Sequence, residues 1–169
     1  QEMRIKSEHF ESEYKLICLN ALEIFGSKIN ALLSRAAARD LYDTYNMIKY
    51  ELFDENEKTL LRKCIVFYAA ISAKDINKTF DTRAIDAISP YKIRTDLLPV
   101  LTKRDDFDLP VAQIAVKKYI STLMALTPQE KEFLTRFEAK DYQPQLLFGD
   151  LEIIDRIKNH PMALWKVRQ

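Results

Sequence analysis

Five charged residues, Lys28, Arg35, Arg39, Asp40 and Asp43, crowd one short stretch, IFGSKINALLSRAAARDLYD. Cations and carboxylates gathered in this way suit a phosphate group and its counter-charges. Lysine serves as a point charge, arginine as a planar fork, and aspartate as orienter, base or metal support. Lys28 and Arg35 are seven residues apart, so on one helix they lie nearly in register, two turns along. Asp40 and Asp43 are three apart and share a face of the following helix, expected to lie away from its apolar seam. A tight corner between the two helices would bring two cations and two carboxylates together.

A plainer reading of the same residues stands beside this one. Lys28 can be a solvated surface lysine, and Arg39 with Asp43 an i,i+4 pair contributing about 0.3–0.5 kcal/mol. Asp40 near a helix N-terminus gains about 0.3–1 kcal/mol from the macrodipole, which alone could justify it. Spacing leaves both readings open, because charged helix faces usually face solvent.

The elements that must hold these residues read as helices. The chain has 169 residues, 47% hydrophobic and 30% charged, enough for one compact core. Two glycines against six prolines argue against a β-sandwich or a glycine-rich nucleotide loop. Basic and acidic residues balance at 26 and 25, so a strongly basic nonspecific nucleic-acid binder is excluded, though not a local patch. Cys18 and Cys64 sit in apolar runs without metal-ligand spacing and are expected to be reduced core thiols. With two histidines in the chain, a zinc site is not expected. No apolar run is long enough to span a membrane and no signal-peptide pattern opens the chain, so the expected compartment is the cytoplasm.

Residues 1–19 read as extended. Met3 to Lys6 alternates and Tyr14 to Leu19 is a β-rich run, which together make a poor sheet without an upstream partner. From Asn20, a cap with Glu23 in the box position, a helix is predicted with Leu22, Phe25, Ile29, Leu32 and Ala36 as its buried stripe. A second is predicted over 39–53, with Leu41, Tyr45, Ile48 and Leu52 as seam. A third follows Asp54 and Glu57, burying Leu61, Cys64, Tyr68 and Ile71. Asp75 should open a helix that Pro90 stops near Ile88, and a short apolar element broken by Pro99 follows. Asp108 with Pro110 opens a long helix to Leu126, Thr127-Pro128-Gln129-Glu130 a further one, and Asp150 a short one. Pro161 restarts the chain toward Trp165, a core or interface anchor. His9 is expected to be exposed, His160-Pro161 to mark a turn, and Tyr42, Tyr45 and Tyr50 to pack, with base stacking the other possibility.

The run EIFGSKINALLSRAAARDLYD resembles the late motifs of the AbiEii/AbiGii toxin family of nucleotidyltransferases. That family shows a Glu, a Lys five residues on, Ala-Leu-x-x-Arg and then Arg-Asp-x-x-Asp. These fall on Glu23, Lys28, Ala31-Leu32 with Arg35, and Arg39-Asp40 with Asp43. The closing stretch from Phe137, with His160-Pro161 and Trp165-Lys166, is similar to the family's C-terminus. The resemblance implies a mainly α chain in which a multi-helix C-terminal bundle, 20–169, follows two short strands, 1–19, left over from a polymerase-β-like nucleotidyltransferase core. It implies an NTP substrate held by Lys28, with Arg35 and Arg39 contacting phosphate or orienting carboxylates, and Asp40 and Asp43 at the reacting centre. Its implied partners are a cognate antitoxin and transfer RNA.

The family's early motif, Gly-Ser followed by Asp-x-Asp, is absent. The only Gly-Ser is Gly26-Ser27, and Asp106-Phe-Asp108 has no Gly-Ser ahead of it. Two-metal phosphoryl transfer needs those carboxylates, so magnesium is expected only in a longer protein and this chain alone is expected to be inactive. The rival function is a noncatalytic helical interaction module. A helix-turn-helix nucleic-acid binder ranks below both, because no helix carries a concentrated basic face. For Lys28→Ala and Asp40→Asn alike, a catalytic role predicts lost rate with an almost unmoved melting temperature.

Overall fold

The computed structural model describes residues 2–7, 10–17, 19–72, 76, 78–102 and 107–169, the first two spans by backbone alone. His9, Cys18, Asp75 and Asp106 lie outside the described residues. The chain is mainly helical. A backbone ribbon, β1 (Glu2–Ser7) antiparallel to β2 (Phe10–Ile17), precedes α1 (Ala21–Arg35), α2 (Ala38–Lys49) and α3 (Glu55–Ser72). Then come the short α4 (Arg83–Asp86) and α5 (Pro90–Lys92), followed by α6 (Leu109–Leu123), α7 (Pro128–Glu138), α8 (Leu151–Ile157) and α9 (Pro161–Arg168).

The helix starts follow from their caps. The Asn20 side chain accepts from the Leu22 N–H at 3.1 Å, and Glu23 accepts from the Asn20 N–H at 3.1 Å. Asp54 with Glu57 and Thr127 with Glu130 form equivalent reciprocal pairs, while Asp108 and Asp150 cap α6 and α8. Each pair satisfies backbone donors that the first turn leaves without partners.

Packing centres on α3. It lies against α1 along most of its length and also touches α6, α7 and α9. Its buried residues therefore run almost all round it, Cys64 to Phe67 and Ala69 to Ile71 included. The α1–α3 crossing is close because Gly26 has no side chain. A Cβ there would stand 2.7 Å from the Cys64 Cβ and 3.1 Å from the Cys64 carbonyl carbon. Asn30, buried one turn on, donates to the Ile65 carbonyl at 2.6 Å and ties the two helices together.

Several expectations are corrected. The buried side of α2 is Ala38, Asp40, Leu41, Thr44 and Met47. Tyr45 and Ile48 are half-buried, and Leu52 is exposed beyond the helix end. The helix is rotated because it packs on both α1 and α6. No helix runs to Ile88 from the Asp75 region. Over 78–82 the backbone is not helical, and Phe80 is buried with a left-handed φ of 48°. Burying that ring, roughly 1.5–3 kcal/mol, outweighs the ~1–2 kcal/mol of the left-handed backbone. Pro90 starts a helical turn instead of stopping one, with the Ser89 side chain as its cap. The chain then passes through a π turn, Ile93–Leu97, into a 3₁₀ turn, Leu98–Val100, where Pro99 removes a donor from the ladder. Trp165 is half exposed, so it is not a core anchor.

Candidate functional site

The corner is built by the end of α1. Ala36 takes a left-handed conformation, φ 49° and ψ 52°, and its N–H closes on the Leu32 carbonyl at 3.0 Å. Only Ala36 and Ala37 separate α1 from α2, so the last turns of one helix and the first turns of the other face each other.

Arg35 forks onto Asp40. Its Nε donates to Oδ2 at 2.9 Å and its Nη2 to Oδ1 at 3.2 Å. The Asp40 side chain is only 6% exposed, whereas that of Arg35 is 66% exposed. The carboxylate is thus an internal anchor and the guanidinium an outward-facing group. Its bonds and charge contact with Asp40 raise the guanidinium's pKa. Thr44 donates to the Asp40 carbonyl at 2.8 Å, one turn along the buried face.

Lys28 donates to the Asp43 Oδ2 at 2.5 Å across the same helix pair, and both side chains are about one-third exposed. Lys28 and Arg35 stand on one face of α1, about 10.5 Å apart along its axis. These pairings leave two Lys28 donors and at least two Arg35 donors unused within the corner. The corner is neutral in sum, and of its two cations Arg35 is the one on the solvent side.

Arg39 departs from the group. Its Nε donates to the Asp96 carbonyl at 2.8 Å, so it braces the π turn against α2 and does not form the expected pair with Asp43. The structure therefore brings together Lys28, Arg35, Asp40 and Asp43 and sends Arg39 elsewhere. Asp40 also lies on the buried side of α2, not away from it, so its removal is a structural event as well as a chemical one. Thr44 and Asn30 were missed because short polar residues on a helix are expected outside. Their i, i+3 and i+4 spacing from buried neighbours was the available signal.

A metal has no ready seat here. Each carboxylate is matched by a cation, and among the described residues no group of three His, Cys, Asp or Glu converges. Gly26-Ser27 is helix interior at the α1–α3 contact, not a phosphate loop. Tyr42 and Tyr45 both meet Phe107 edge-on, at 5.6 and 6.0 Å, and so pack. Cys64 is a buried free thiol whose pKa burial pushes up to about 12. No helix among the described residues is long and apolar enough to cross a membrane.

On one face of α1, Lys28 and Arg35 are each held by an aspartate of the next helix. The profile of the family described as nucleotidyl transferase AbiEii toxin, type IV toxin–antitoxin system, matches residues 2–141. The chain belongs to this AbiEii family of toxin-type nucleotidyltransferases. The match contains the whole Lys28–Asp43 corner and ends before α8, so the likeness of the closing stretch rests on its sequence alone. No curated protein and no solved structure matches the chain.

Proposed function

We propose that this chain is the helical part of a toxin-type nucleotidyltransferase that moves a nucleotide from an NTP to an acceptor, transfer RNA being the acceptor class, and that an antitoxin restrains. Lys28 and Arg35 grip the phosphates. Asp40 acts through Arg35, holding its fork so that binding does not have to order it. Asp43 is the carboxylate with access to the reacting centre. Arg39 supports the corner from the π turn. The ribbon β1–β2 is then the edge of a polymerase-β-like core. The Asp-x-Asp pair and its magnesium come from a segment outside these 169 residues.

The observation that carries this reading is the Arg35–Asp40 fork: a buried carboxylate spent on fixing an exposed guanidinium. A second reading keeps support from the complete pairing of the four charges, which a noncatalytic interaction module would also show. Labelled-NTP transfer to transfer RNA separates them. The 169 residues alone should transfer nothing, and the protein made from the whole reading frame, with magnesium, should label the acceptor. Transfer by the 169 residues alone would overturn the division of labour, and silence of the whole protein would favour the module.

A further inference from the structure

The two sides of α9 differ. The helix packs on α3, with Ala163 buried and Leu164 and Val167 half-buried. Its other side carries Met162, Trp165 and Arg168, spaced by three and so next to one another on the helix surface. All three are exposed, Trp165 by 53%. A packed aromatic side chain buries about 150–250 Å², so a tryptophan left open in this way forgoes an unusual amount of burial. Among the described residues no ring packs on Trp165, no cation lies over its face, and its indole N–H has no hydrogen-bond partner.

The surroundings are basic. From Arg156 to Gln169 the chain has four lysines and arginines, Arg156, Lys158, Lys166 and Arg168, and no acidic residue. Lys158 is matched by Asp155 at 2.7 Å, whereas Arg156 and Arg168 meet no carboxylate among the described residues. Lys140, just past α7, adds a further cation. Its Nζ donates to the Lys166 carbonyl at 3.1 Å, which places the ammonium at the C-terminal end of α9. Lys140, Lys166 and Arg168 thus gather within about one helical turn of Trp165. A helix C-terminus attracts cations on its own account, which explains Lys140 and Lys166. It does not explain an open indole flanked by Met162 and Arg168.

We infer that this face of α9 holds single-stranded RNA, with a base stacked on Trp165 and the adjoining phosphates on Arg168 and Lys140. A base supplies the flat apolar surface that the indole lacks, and its backbone the negative charge that the cations lack. A duplex hides its base faces in the stack, so a single strand fits better. An acidic protein would answer the cations and leave the indole in water. An apolar protein surface would cover the indole and leave Arg168 and Lys140 without counter-charge. The choice of RNA over DNA rests on the acceptor reading above, and the stacking platform does not.

Trp165 is the one tryptophan of the chain, so its fluorescence reports this face alone. Oligouridylate titrated into the 169-residue chain should quench it saturably, with an affinity that falls as salt rises. Polyglutamate, a polyanion without bases, should not quench it. Anisotropy of labelled oligouridylate then reads the variants. Trp165→Ala should bind at least about fivefold more weakly, the worth of one stacked base, and Trp165→Phe should recover part of that loss. Arg168→Gln should flatten the slope of log affinity against log salt by about 0.7, one phosphate contact on a single strand. No NTP is present, so RNA binding beside a silent transfer assay would end the acceptor reading and keep the platform. Absence of quenching, an equal response to polyglutamate, or wild-type affinity in Trp165→Ala would overturn the inference. Tighter binding of oligodeoxyuridylate would overturn the assignment to RNA. Self-association that shifts the fluorescence without RNA would give the face to a second copy of the chain instead.

Discussion

At the scale of single residues, Asp40 and Asp43 carry the same group three positions apart and meet different fates. Asp40 is inside, with both oxygens on Arg35, and Asp43 is about one-third exposed on Lys28. Removing Asp40 leaves buried polar space and frees the Arg35 fork. Hydrogen bonds to charged groups contribute about 1.5–3 kcal/mol, here toward the lower end because Arg35 is well exposed. Asp40→Ala should therefore lower unfolding stability by about 1.5–2 kcal/mol in urea melts. A melt unchanged from wild type would place Asp40 at the surface and undo the anchoring role. This burial was not legible beforehand, because aspartate is by default exposed and the apolar pattern of α2 fits more than one rotation. Lys28 and Arg35 were legible as a pair, since spacing alone puts them on one face.

Among the elements, the five starts with a side-chain cap at Asn20, Asp54, Asp108, Thr127 and Asp150 were readable, while the start at Pro90 and the ends of α2 and α7 were not. Asn20, Asp54, Asp108, Thr127 and Asp150 are side chains whose capping chemistry is written in their type. The ends of α2 and α7 use left-handed Glu51 and Lys140, φ 47° and 67°, where glycine is the usual residue. In each, the next residue's N–H reaches back five positions: Leu52 to the Met47 carbonyl and Asp141 to that of Arg136. With two glycines in the chain, neither end carried its usual mark. Gly26 gave no sign of its role, which is to let α1 and α3 touch. Gly26→Ala should cost about 1–3 kcal/mol in thermal or denaturant unfolding, because Cys64 and its backbone would have to shift. A more stable variant, as helix propensity alone would give, would show that the crossing can relax.

The whole molecule is a body of helices around α3, with the corner between α1 and α2 and the Trp165 face on α9. The helical class and the family were legible, the class from cap and stripe patterns and the family from the order Glu23, Lys28, Arg35, Arg39, Asp40, Asp43. The Trp165 face was not, because Trp165 reads as an anchor until the packing of α9 on α3 fixes which side of the helix stays open. The destination of Arg39 depends in the same way on a π turn far along the chain.

The central claim is that Lys28 grips phosphate, and labelled-NTP transfer by Lys28→Ala in the protein made from its whole reading frame tests it most directly. The rate should fall on the order of a thousandfold, about 4 kcal/mol of barrier. Unfolding stability should move by less than about 1 kcal/mol, since the Lys28–Asp43 pair is partly exposed. Full activity in the variant, or a loss of rate matched by a collapse in stability, would contradict the account and leave the corner as a structural brace.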